Sequence, residues 1–304
     1  MGQHEPEMTR YGPRRPSRGQ ARLRRAAAWV AVLAVLGGGA WAGASLVRDE
    51  PPSPPPVETT PPLASLRVIF PEGFTVQEMA DRVAAVREIA IAERRITPRL
   101  TRSGYVSAVA KAQPPAEFRK DWGGESLEGF LFPATYEFTK LTTSERLVRD
   151  QLRAFARQWN KVSMRYARSK NLTPYDVLVI ASMVEKEAVA PEERPLVAAV
   201  IYNRLRLGMT LGIDATIRYG RNVPGTESLK RSDLETNHPY NTRLRTGLPP
   251  TPIANPGLAS IRAAARPAKV DYLFFVRKPD GVHHFFTASQ AEFDRKSCEY
   301  GFSC

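Results

Sequence analysis

Residues 173–208 read TPYDVLVIASMVEKEAVAPEERPLVAAVIYNRLRLG, and this stretch encodes two helices meeting at a corner. Thr173 has the side chain of an N-cap, Pro174 suits the first turn, and Asp176 completes a capping-box pattern. The first helix is predicted to run to about Ala188. The second starts near Pro191, carries Leu196, Val197, Val200, Ile201 and Leu205 on one side, and stops at Gly208. On the first helix Val177, Ile180, Ala181, Val184 and Ala188 form an apolar stripe. Glu185 and Glu187 fall about 80° to either side of it. A carboxyl there is partly desolvated yet able to reach a cleft. Glutamates at a helix end are more often solvated surface, and periodicity does not choose between these two.

Working outward, Leu66–Phe70 alternates as a short strand, and residues 71–74 (PEGF) make a turn. Thr75 is a plausible N-cap for a helix to about Glu93, with Val76, Met79, Ala80, Val83, Ala84 and Val86 on one face. A further helix follows Thr97-Pro98, which gives a small αβ module over residues 66–112. Beyond it, residues 126–138 read as loop and strand edge, and Ser144–Lys170 as one long helix. Residues 211–256 are polar and turn-rich, and Ala259–Ala265 is a short helix. A hairpin pairs Tyr272–Val276 with Val282–Thr287 around Lys278-Pro279-Asp280-Gly281. Its His283 and His284 point to alternate faces; such a pair is more often packing or surface than a ligand. No pattern has zinc-ligand spacing, and no metal site is expected.

The 304 residues are 42% hydrophobic and 25% charged, with a formal net charge of +13. Seven arginines in residues 1–25 stand against Glu5 and Glu7, so a disordered basic tail carries much of the excess. The rest is spread thinly, without a basic-aromatic motif, which argues against nucleic acid as a partner. Ala26–Val47 holds 22 residues without a charge, roughly 33 Å of helix and enough to span a hydrocarbon core. A cleaved signal peptide is the alternative reading. The basic flank on its N-terminal side predicts a cytoplasmic tail, with the remainder outside. Residues 48–65 form a linker, in which PPSPPPVETTPP (51–62) is a stiff extended spacer. Cys298 and Cys304 either close a terminal loop in an oxidising compartment or stay as free thiols.

Several blocks occur together and in order: LEGFLFPATY (127–136), ASMVEKEAVAPEERPLVAAVIYNRLRLG (181–208), LETNHPYNT (234–242), GLPPTPIANPG (247–257) and AAARPAKVDY (263–272). In these the chain resembles the MltG (YceG-like) endolytic murein transglycosylases. The resemblance implies an α+β protein with an N-terminal transmembrane helix (26–47), a LysM-like module (66–112) and a mixed α+β catalytic domain (113–304). It implies an inner-membrane enzyme whose catalytic part faces the peptidoglycan, without cofactor, acting beside peptidoglycan synthases. Its catalytic carboxyl is the second glutamate of Glu-Lys-Glu, here Glu187. That group would protonate the glycosidic oxygen and then take the proton of the sugar's C6 hydroxyl, closing a 1,6-anhydro ring. An internal nucleophile removes the need for a second carboxylate to activate water. The same resemblance offers Asn203, Asp214, Tyr240, Asn241 and His283 as substrate-binding residues, with Tyr219 and Thr242 beside the cleft. The family's Gln-x-Asp-Pro-Thr appears here as Gly212-Ile213-Asp214-Ala215-Thr216, and the first of two LysM-like copies is missing. These departures support a second reading, a catalytically silent peptidoglycan-binding or scaffold protein.

Overall fold

The computed structural model describes residues 64–302 apart from residue 125. The chain divides into two units, Met1–Thr60 and Pro61–Cys304, and all described residues belong to the second. The predicted tail, the 26–47 span, the proline spacer and Cys304 lie outside the described residues. Among the described residues no helix is long and apolar enough to cross a membrane, and Cys298 is disulfide-bonded.

The unit is mixed α+β, with helices predominating over two small sheets. Strand β1 (Leu66–Ile69) runs antiparallel to β2 (Thr135–Phe138), with Leu66 opposite Phe138 and Ile69 opposite Thr135. Between them lie α1 (Val76–Arg94) and α2 (Arg102–Lys111). The 66–112 region therefore draws its second strand from beyond residue 112, and its Val68, Met79 and Tyr105 belong to the same core as the later helices. Helix α1 starts where predicted. Thr75 Oγ1 accepts the Glu78 N–H at 3.2 Å and Glu78 Oε2 accepts the Thr75 N–H at 2.7 Å, so two donors that a helix start leaves orphaned are both satisfied.

Helix α3 (Ser144–Trp159) is shorter than its apolar pattern suggests. The predicted helix to Lys170 is corrected here: the chain turns at Asn160–Val162, where the Val162 N–H bonds Trp159 O at 2.9 Å. Met164 and Ala167 are buried by a separate one-turn helix, α4 (Arg165–Arg168), which mimics continued periodicity. The rings of Phe118, Phe130, Phe155 and Trp159 pack at centroid distances of 4.8–5.6 Å beside this turn.

Helix α5 (Pro174–Glu187) is the centre of the fold. Its Thr173–Asp176 capping box is formed. Tyr175 and every residue from Val177 to Val184 are buried, so the helix is apolar all round rather than along one stripe. It packs against α6 (Arg194–Arg206), α7 (Asp214–Arg221) and α9 (Leu258–Ala265). Each buried Val, Leu or Ile contributes about 1.5–3 kcal/mol by leaving water; a charge at Ile180 would meet apolar neighbours on all sides. In the last turn Lys186 is exposed and Glu187 half-buried. Residues 211–256, read from sequence as turns, contain α7 and the short α8 (Arg231–Glu235). The hairpin forms as β3 (Phe274–Arg277) with β4 (His284–Thr287), followed by α10 (Gln290–Glu299).

Candidate active site

One cleft of about 1930 Å³ runs past the end of α5. Its walls come from the start of α1, the Ser126–Glu128 loop, α7, the loop around Tyr240, and β3–β4. Glu187, half-buried, opens onto it. The position has two electrostatic consequences. It is the C-terminal end of α5, where the helix dipole disfavours an anion. It also faces the start of α7, where the Ala215 backbone N–H donates to the carboxyl.

Burial pushes the Glu187 carboxyl up to about 7, and the nearby Asp214 charge acts in the same direction. Arg277, the Ala215 N–H and Arg218 pull it the other way. Desolvation wins. The result is a carboxyl that is protonated in a large fraction of molecules at neutral pH. Among the described residues it makes no ion pair.

Glu185, two residues earlier, has a different environment. Its Oε2 accepts the Gly257 N–H at 3.0 Å, and its other oxygen lies 3.8 Å from Arg194. Its side chain is 7% exposed. The Glu72 carboxyl packs against Gly257 where a Cβ would stand. Glu185 thus anchors the start of α9, away from the cleft.

The other sequence-derived candidates divide. Asp214 and Tyr240 line the cleft with Glu187. Asp214 is held 2.7 Å from Arg243, and Tyr240 shares a hydrogen bond with Thr251 at 2.7 Å, its ring 5.2 Å from that of Tyr219. Asn203, Asn241 and His283 are not among the residues that line it. Asn203 donates to Val270 O and Tyr272 O at 3.0 Å, fastening α6 to the approach to β3. Asn241 is buried and donates to Leu234 O and Thr236 O at 2.8 Å, which shapes its own turn. His283 is exposed and bonds Asp280 at 3.0 Å. Its neighbour His284 is the one turned inward. The backbone N–H of His284 donates to Glu193 Oε1 at 2.9 Å, and its Nδ1 lies 2.7 Å from Glu193 Oε2.

Two residues that motif reading passed over, although both lie inside quoted blocks, complete the site. Glu128, of LEGF, is 2% exposed and lines the cleft. It accepts the Val76 N–H at 3.1 Å, the Asn255 Nδ2 at 2.6 Å and the Tyr219 hydroxyl at 3.4 Å. Burial still outweighs these donors and pushes its carboxyl up to about 8. Asn255, of ANPG, also donates to Phe74 O and accepts the Leu131 N–H, both at 2.9 Å. A buried carboxylate beside a glycine and a buried amide between prolines were the available signals. Gly129, at φ +90° under Pro252, makes the close approach possible.

The residues present suit acid–base work on a large polar ligand. Among the described residues no cluster of three metal-ligating side chains occurs.

Comparison with known proteins places this geometry. Residues 57–299 match the YceG-like family. An endolytic murein transglycosylase of Streptococcus pneumoniae (strain ATCC BAA-255 / R6) is 34% identical over 254 residues, 79% of this chain and 45% of that protein. One from Bacillus subtilis (strain 168) is 32% identical over 243 residues, 78% of this chain and 65% of that protein. The chain thus spans about half the length of the pneumococcal relative. The crystal structure of a YceG-like protein from Listeria monocytogenes superposes with a TM-score of 0.61 at 27% identity, covering 76% of this chain and 75% of that one. With its sequence matched from the proline spacer to the end of α10, the chain belongs to the YceG-like family.

Proposed function

We propose that this protein is an endolytic murein transglycosylase that cuts glycan strands of peptidoglycan between N-acetylmuramic acid and N-acetylglucosamine, leaving 1,6-anhydro ends. The observation that carries the reading is Glu187, half-buried at the rim of the long cleft and held up to about 7. A carboxyl of that affinity donates a proton to a departing glycosidic oxygen at neutral pH and takes one back from an attacking hydroxyl. The C6 hydroxyl of the same sugar is already tethered, so ring closure needs no activated water. Asp214, committed to Arg243, tunes the acid rather than replacing it. The relatives' names support this substrate class. The uncharged 26–47 stretch and its basic flank support an anchored chain with the cleft outside the cytoplasm, beside the synthases that make the strands.

The test is mass spectrometry of purified peptidoglycan digested by the wild type and by Glu187→Gln. The wild type is expected to release fragments ending in 1,6-anhydro-N-acetylmuramic acid, and the variant to lose at least about 100-fold of that rate with no fall in its melting temperature. Reducing ends instead of anhydro ends would mean hydrolysis. Binding without release over a long incubation would mean a silent scaffold. Glu185→Gln, buried against Gly257 and Arg194, is expected to lower stability more than chemistry.

A further inference from the structure

Among the described residues five lysines and arginines line the cleft: Lys186, Arg204, Arg218, Arg243 and Arg277. Four are taken up by the protein's own oxygens. Lys186 donates to Gly73 O at 3.3 Å. Arg204 donates to Leu273 O at 2.6 Å, and to Thr210 O and Leu211 O. Arg218 donates to Pro224 O and Glu227 O. Arg243 is paired with Asp214. Arg277 is exposed, and among the described residues its guanidinium makes no ion pair or hydrogen bond.

Its backbone is nonetheless fixed. Arg277 ends β3 opposite His284, and the buried His284 is clasped by both oxygens of Glu193. Glu193 closes the turn of residues 191–193 that directly follows the helix ending in Glu187. The strand bearing the free guanidinium is therefore tied to the corner bearing the acid.

We propose that Arg277 is a subsite for a carboxylate carried on the 3-O-lactyl arm of the muramyl sugar: the lactyl carboxylate itself or one on an attached stem peptide. The inference rests on the transglycosylase reading above. Along the glycan, sugars with and without this arm alternate, and the neutral N-acetylglucosamine offers nothing to a guanidinium. An anion reader near Glu187 thus sets the register in which a strand lies, so that the muramyl C1, not its neighbour's, meets the acid. A planar guanidinium binds carboxylate through two parallel hydrogen bonds, which adds direction to charge. The arrangement has a second effect. Arg277 is the foremost cation opposing protonation of Glu187; a carboxylate seated on it offsets that opposition when the substrate is in place.

The test uses the full chain at one fixed pH and four substrates: amidase-stripped strands and peptide-bearing strands, each with and without amidation of their carboxyl groups by carbodiimide and ammonia. Release of anhydro ends gives kcat and KM. Wild type is expected to prefer free carboxylate roughly 5- to 10-fold in kcat/KM, mostly through KM. Arg277→Gln should bring that ratio close to one, and Arg277→Lys should keep part of it. Whichever pair of arms, stripped or peptide-bearing, shows the preference identifies the carboxylate. Equal wild-type rates on blocked and free strands would overturn the subsite, and that comparison needs no variant to fold. A full preference retained by Arg277→Gln would overturn it as well. Absence of anhydro products from every strand would instead overturn the transglycosylase reading, and the subsite with it.

Discussion

Glu185 and Glu187 are separated by a single residue, yet only Glu187 opens onto the cleft. The difference arises from what other segments bring to each. Glu185 meets the amide of Gly257 and the guanidinium of Arg194, which hold it against the start of α9. Glu187 meets Asp214 and a desolvating wall. Spacing in the sequence placed both at the edge of the buried face, and no local pattern could separate them, because the deciding partners lie at least seven residues away along the chain. The balance at Glu187 also fixes a sign. Removing the Asp214 charge lowers the carboxyl's proton affinity, and the cation of Arg243, freed of its partner, acts in the same direction. Because cleavage needs the protonated form, Asp214→Asn should move the alkaline limb of the kcat/KM profile to lower pH. At pH 8 the variant should lose roughly two- to fivefold more activity than at pH 5.5. A parallel fall at both pH values would show Asp214 acting on the substrate and not on the acid.

Helix starts were the most legible elements. Thr75 and Thr173 announced their caps, and both capping boxes form, because a cap is a matter of three or four adjacent residues. Helix α7 was not legible: it is eight residues long and opens without a side-chain cap. Its start is set by distant groups, Arg204 and Thr242, which hold the residues before it. The pairing of β1 with β2 spans some seventy residues, and neither strand's composition names its partner. Docking of α1 depends on an equally distant contact, in which Glu128 accepts the Val76 N–H and Asn255 braces both. Glu128→Ala would leave the Asn255 amide and the first amide of α1 without that acceptor, at a cost of about 2–4 kcal/mol. Glu128→Gln keeps one oxygen for these donors and can donate its amide to Tyr219, whose hydroxyl also accepts, so it should not lower stability at pH 7. Denaturant unfolding of both variants separates the cases. Equal losses would mean that the carboxyl's charge, and not its acceptor geometry, seats the helix.

Across the whole unit two carboxyls are held far above their ordinary affinity, Glu128 up to about 8 and Glu187 up to about 7, each chiefly by burial. Both line one cleft, so the price of the cleft's chemistry falls on the fold as a dependence on pH. In the unfolded chain each loses its proton near 4.5, while the folded chain keeps it to higher pH. Between those values the native state binds more protons than the unfolded one, and stability falls as pH rises. The contribution is complete below about pH 4.5 and is lost as pH passes through 7 for Glu187 and 8 for Glu128. Other groups pull the opposite way: Asp280, held down to about 2 by the His283 and Val282 amides, favours the fold as pH rises from the acid side. The wild-type melting curve therefore mixes signs, and the informative quantity is its difference from a Glu128→Gln, Glu187→Gln double variant. That difference should be small at pH 4.5 and grow in the variant's favour by several kcal/mol up to pH 8.5, or roughly 10 °C or more in Tm. Calorimetry of both chains across that range checks it. A gap independent of pH would mean that neither carboxyl retains its proton in the folded state, and the acid at the end of α5 would then have to be sought elsewhere along the cleft.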